Sequence, residues 1–254
     1  MLDADPIVVD SVSKSFGTAL VVKEVSFAVR RGEIFGIVGQ NGAGKTTVLR
    51  MIMDIFRPDA GSILIFGRPP DNAVKQRIGY LPEERGIYVG LKVGRVLEYF
   101  ARLKGLPRAR ARAQVEKWLY RFGVEEYAGR RVETLSKGNQ QKVQLVCALV
   151  ADPEIVILDE PLAGLDPVNT RLLTDVIRDL AKEGKTIIFS SHQMPVVEKL
   201  CMRVLMIDRG EVVLYGPLAE IRQSQNSPDG SLEDIYVRIA RQGAGERDEQ
   251  TNHR

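Results

Sequence analysis

The sequence predicts an α/β core with an added antiparallel β layer and an inserted helical subdomain. Three patterns lead there: apolar strand-length runs that alternate with helical segments, short β-rich runs near the start with glycines between them, and a middle stretch where strand signals vanish. With 254 residues and 44% hydrophobic composition, the chain can bury a substantial core without covalent staples.

Residues 7–9, 25–29 and 62–66 are β-rich, and Gly17, Gly32, Gly61 and Gly67 mark turns; these runs are expected to form the antiparallel layer. Within it, residues 34–38 form an apolar run that ends in a glycine-rich turn, and residues 46–55 have helical character, so strand, loop and helix follow one another. From about 91 to 149 the spacing is helical, with Val96, Tyr99, Phe100 and Leu103, then Val115, Leu119 and Phe122. Arg108, Arg110 and Arg112 read as a solvated helix face, with an anion site as the alternative. The core resumes with apolar strands at 155–158 and 186–190, in the alternation of a mainly parallel sheet. Residues 203–207 and 211–215 flank Asp208-Arg209-Gly210 as a hairpin that closes the sheet edge. The expected organisation is one domain over 1–222 with a helical subdomain at about 91–149, a linker at 223–231, and a short C-terminal helix and tail at 232–254. Leu232, Ile235, Tyr236 and Ile239 share a helical face, and residues 243–254 are polar enough to be disordered.

Charge and cysteine content exclude several classes. Thirty-six Lys and Arg face 33 Asp and Glu, and an excess of +3 gives no electrostatic case for nucleic acid. Cys147 and Cys201 sit far apart in apolar surroundings, as buried thiols of a reducing compartment do. The opening residues lack the pattern of a secretory signal, and the most apolar window, 143–158, is broken by Asp152, Pro153 and Glu154. A cytoplasmic protein is expected, with any membrane association coming from a partner.

The chemistry concentrates in two motifs. Gly39-Gln40-Asn41-Gly42-Ala43-Gly44-Lys45-Thr46, with Thr47 behind it, matches the phosphate-binding loop and stands between an apolar strand and a helix. Its glycines let backbone N–H groups turn toward phosphate oxygens, Lys45 brings positive charge to the β and γ phosphates, and the Thr46 hydroxyl can bind Mg²⁺. Asp159 and Glu160 end the apolar strand at 155–158, where α/β sheets bind ligands. Asp159 suits Mg²⁺, and Glu160 can polarise an attacking water as general base. Together these residues imply binding of a nucleotide's β and γ phosphates with Mg²⁺ and attack of water on the γ-phosphate.

Leu135-Ser136-Lys137-Gly138-Asn139-Gln140-Gln141 resembles the signature of the ABC-type ATPases. In that family the helix end behind this motif faces the phosphate loop of a second subunit, so Ser136, Gly138 and Asn139 are expected to cap an ATP held between two chains. The motif departs from the family pattern at Lys137 and Asn139. Gly164-Leu165-Asp166 resembles the family's dimer-interface loop, and His192 matches its switch histidine, with a purely structural histidine as the alternative. Phe16 lies where the family stacks an aromatic on adenine; a core phenylalanine is the competing reading. Glu83 stands where the family commonly has glutamine, and its carboxylate can still ligand Mg²⁺. The resemblance implies a homodimer or heterodimer of ATPase subunits that drives a separate integral membrane permease and is peripheral at the inner face of the membrane. Residues 86–93, with Ile87, Tyr88, Val89 and Leu91, are expected to form a groove for that partner. Residues 80–86, 135–141 and 231–236 look similar to bacterial exporter subunits for ions, drugs or lipids. Import, or a soluble ATPase acting on ribosomes or DNA, are the rival readings.

Overall fold

A computed structural model describes residues 5–84, 86, 88, 90–225, 227 and 230–239. In chain order its elements are β1 (Ile7–Phe16), β2 (Ala19–Val29), β3 (Ile34–Val38), α1 (Lys45–Ile52), β4 (Ala60–Ile65), α2 (Asn72–Gln76) and β5 (Ile78–Leu81). There follow α3 (Val93–Leu103), α4 (Arg108–Phe122), α5 (Lys137–Leu149), β6 (Ile155–Asp159), α6 (Pro167–Lys182) and β7 (Thr186–Ser191). The last are α7 (Met194–Leu200), β8 (Arg203–Asp208), β9 (Glu211–Pro217), α8 (Leu218–Ser224) and α9 over 232–239.

The strands form two sheets. One is antiparallel, in the order β2-β1-β4; the other has six strands in the order β5-β6-β7-β3-β8-β9, parallel throughout except for β9 at its edge. Period-2 alternation splits the larger sheet between two cores. Phe35, Ile37, Ile155, Ile157, Leu205 and Ile207 face the antiparallel sheet and α1, whereas Val156, Leu158, Val204 and Met206 face the helices on the other side. Parallel strands buried on both faces read as continuous apolar runs, which is why β3, β6 and β7 are conspicuous in the sequence. Trp118, Phe122 and Val143 pack the helical segment into the second core, and Leu232, Ile235 and Tyr236 of α9 join it.

Several boundaries move. α1 stops at Ile52, three residues before the expected end, because Asp54 turns to φ 49° and Ile55 is left 57% exposed. β1 is ten residues long because it pairs with a strand on either side. Gln223 and Ser224, expected in the linker, complete α8. The expected tail at 243–254 and residues 87 and 89 of the expected groove lie outside the described residues.

Candidate active site

The phosphate-loop motif occupies the turn from β3 to α1. The parallel register sets Val38 opposite Ser191, so the loop leaves its strand beside the residues that lead to His192. Gly39 packs so closely on β8 that a Cβ there would collide with the Ile207 carbonyl oxygen, and Gly44, at φ 108°, precedes the first turn of α1 in a conformation that side chains disfavour.

Lys45, only 5% exposed, turns back under the loop, where its Nζ donates to the carbonyls of Gly39 (2.8 Å) and Gln40 (3.1 Å). It also lies 3.2 Å from Glu160 Oε1, a buried ion pair. The other Glu160 oxygen is 2.9 Å from His192 Nδ1, so Lys45, Glu160 and His192 form a continuous chain. Glu160 itself adopts φ 48°, a left-handed conformation that costs about 1 kcal/mol.

Asp159 lies at the end of β6, directly opposite Ser190 of β7. Its Oδ1 accepts from Ser190 Oγ at 2.7 Å and from Thr46 Oγ1 at 3.2 Å, while Oδ2 is buried with no hydrogen-bond partner. Burial pushes the Asp159 carboxyl up from its ordinary pKa; hydrogen bonds from Ser190 and Thr46 oppose this, and the nearby Glu83 and Glu160 carboxylates add to it. Glu83 Oε2 lies 3.4 Å from the same Thr46 hydroxyl. Thr46, Asp159 and Glu83 thus offer oxygen ligands only, one of them buried and unpartnered, which fits a hard divalent cation such as Mg²⁺.

These groups surround a cavity of 160 Å³ lined by Asn41, Gly42, Gly44, Lys45, Thr46, Thr47, Glu83 and Glu160, together with Val21 of β2. Gln40 and Ala43 face a second cavity with Asp208, Arg209 and Tyr236 of α9. Ser136 caps α5, accepting from Asn139 N–H at 3.3 Å, but Ser136, Gly138 and Asn139 do not line the loop cavity of their own chain. Phe16 does not line it either. Its ring is 47% exposed and lies edge-on to Phe56 at 5.3 Å, so the competing reading of Phe16 as a core residue does not hold.

Sequence reasoning missed two contributors. Ser190 bridges the acidic pair, since its Oγ also accepts from Glu160 N–H at 2.9 Å. A serine two residues before His192 at the end of an apolar strand was the available signal. Val21 gave none, because only the packing of β2 beside the loop brings it to the cavity.

Residues 22–163 match the family model described as ABC transporter. The chain is 44% identical over 216 residues to the ABC transporter ATP-binding protein YhaQ of Bacillus subtilis (strain 168), covering 85% of this chain and 72% of the relative. It is 40% identical over 210 residues to the Nod factor export ATP-binding protein I of Paraburkholderia xenovorans (strain LB400), covering 82% and 69%. A solved structure of an ATP binding subunit of an ABC transporter superposes with a TM-score of 0.86 at 30% identity, over 92% of this chain and 99% of that one. With the phosphate loop, the acidic strand end and the capped α5 all in place, the chain belongs to the ABC transporter family, as an ATP-binding subunit.

Proposed function

We propose that the protein hydrolyses ATP between two ATPase subunits and thereby powers export through a separate membrane permease. The chain from Lys45 through the buried Glu160 to the exposed His192, in which Lys45 and Glu160 line the loop cavity beside Asp159, carries this reading. Nucleotide phosphates offer Lys45 stronger partners than the Gly39 and Gln40 carbonyls, and moving the ammonium onto them frees Glu160. Glu160 then takes the proton of the attacking water. His192 holds the Glu160 carboxylate in place. A neutral imidazole has one ring proton, and placing it on Nδ1 toward Glu160 leaves Nε2 as an acceptor, so donation to a phosphate oxygen requires a turned or protonated ring.

Thr46, Asp159 and Glu83 are the residues that would hold Mg²⁺, which when bound supplies neutralising charge to the phosphates. Ser136, Gly138 and Asn139 lie at the positive end of α5 and serve the loop of the second subunit, consistent with their standing outside the cavity of their own chain. The exposed Tyr88 and Leu91 belong to the surface that meets the permease, which holds the subunit at the inner face of the membrane. Likeness to a Nod factor export protein supports the outward direction. The ATP-binding unit is residues 1–222, with the helical subdomain at about 91–149.

The test is ATP turnover and ATP-dependent dimerisation of wild type beside Glu160→Gln. Loss of the general base lowers turnover about 10²- to 10⁴-fold and traps an ATP-bound dimer. A variant that turns over within about tenfold of wild type would remove Glu160 from this role. Uptake rather than extrusion by vesicles that carry the permease would reverse the direction.

A further inference from the structure

Helices α3 and α4 hold a trough of 670 Å³ between them, lined by Arg95 and Arg102 from α3 and by Arg108 and Arg112 from or at the start of α4, with Glu98, Tyr99 and Leu103. Arg112 pairs with Glu98 at 3.3 Å, whereas Arg95, Arg102 and Arg108 have no acidic partner among the described residues. Four guanidiniums against a single carboxylate place on this one surface an excess equal to the formal +3 of the whole chain. The run at 108–112 is therefore more than a solvated helix face. Two of its arginines meet two from another helix, and only Arg110 stays outside the trough.

We propose that this trough is a membrane-surface site for anionic phospholipid headgroups. Guanidiniums take phosphate oxygens in pairs, and their spread over two helices suits a layer of headgroups better than one point charge. Tyr99 (47% exposed) and Leu103 (60%) line the trough with them. Tyrosine and leucine beside arginine is the composition that settles at the level of lipid headgroups. Arginine clusters also take acidic protein segments, but the exposed Tyr99 and Leu103 beside charges spread over two helices favour a headgroup layer. No helix among the described residues is long and apolar enough to cross a membrane, so this contact is one of adhesion.

The purified full chain is sedimented with vesicles of phosphatidylglycerol mixed with phosphatidylcholine, and with vesicles of phosphatidylcholine alone. These vesicles carry no permease, so the outcome is independent of the export reading. Binding is expected only to the anionic vesicles and should weaken as salt is raised. Arg95→Gln/Arg102→Gln should lower the partition about 30-fold, as expected for two lost surface cations, with ATP binding unchanged as the control for folding. Arg108→Gln/Arg112→Gln, on the other helix, should also weaken it. Equal binding to both vesicle types, or undiminished binding by both double variants, would overturn the proposal. Arginine-dependent capture of polyglutamate without vesicle binding would also overturn it and assign the trough to an acidic protein segment.

Discussion

Replacing Ser190 with alanine removes one hydroxyl that is wholly buried and engaged twice, as donor to Asp159 and acceptor from the Glu160 N–H. The first loss takes a charge-assisted hydrogen bond from a buried carboxylate, about 1.5–3 kcal/mol, and the second strands a buried N–H, about 1–3 kcal/mol. The two overlap, because one rearrangement or one entering water relieves both, so a deficit of about 3 kcal/mol is expected. Its pH dependence has a definite sign. Asp159 already has a raised folded-state pKa, so between its unfolded and folded values the folded state binds more protons. Its contribution to stability is therefore fully present below the unfolded pKa and is lost as pH rises through the folded one, the reverse of a salt-bridged aspartate. Losing the Ser190 donor moves the folded value further up, so the deficit of Ser190→Ala grows as pH rises from the unfolded value through the folded one. Urea unfolding in metal-free buffer over a pH series that starts below the unfolded value, with Asp159→Asn and the double variant, measures this. Because charge roughly doubles the strength of such a bond, the cycle should give about 1 kcal/mol of coupling. A deficit below about 0.5 kcal/mol, a deficit independent of pH, or single losses that add within about 0.3 kcal/mol would refute the reasoning.

Gly39→Ala sets a methyl group against the Ile207 carbonyl and should lower the urea midpoint by the equivalent of about 2–4 kcal/mol, with loss of nucleotide binding; a variant as stable as wild type would show that β8 yields there. Burial pushes the thiol of Cys201 well up, so at about pH 8 it should resist a thiolate-specific reagent until denaturant is added, and its prompt labelling in the folded protein would contradict the packing. Tyr236→Phe removes a 3.2 Å hydrogen bond to Asp208 beside Gln40 and should cost about 1 kcal/mol in thermal unfolding.

Much of this molecule is legible in its sequence because the informative signals are local. A loop that must turn its N–H groups inward needs glycine at fixed offsets, and a strand buried on both faces must be apolar along its length. Asp159 and Glu160 were identifiable because they interrupt such a strand at its end. β5 and α2 were not: four and five residues are too few to establish a period, and β5 exists because β6 pairs with it in parallel. The C-terminal helix was visible as an apolar face, yet its position beside Gln40 was not.

By itself, then, the sequence determined the α/β class, the phosphate loop, the acidic strand end and the capped start of α5, each written in neighbouring residues. Only the tertiary structure decided that Lys45 lies under its own loop against Glu160, that Ser190 serves both carboxylates, and that four arginines from separate helices share one trough. Such facts depend on strand register and helix packing, which join residues from 6 (Arg102 and Arg108) to 115 (Lys45 and Glu160) positions apart, and no local pattern specifies them.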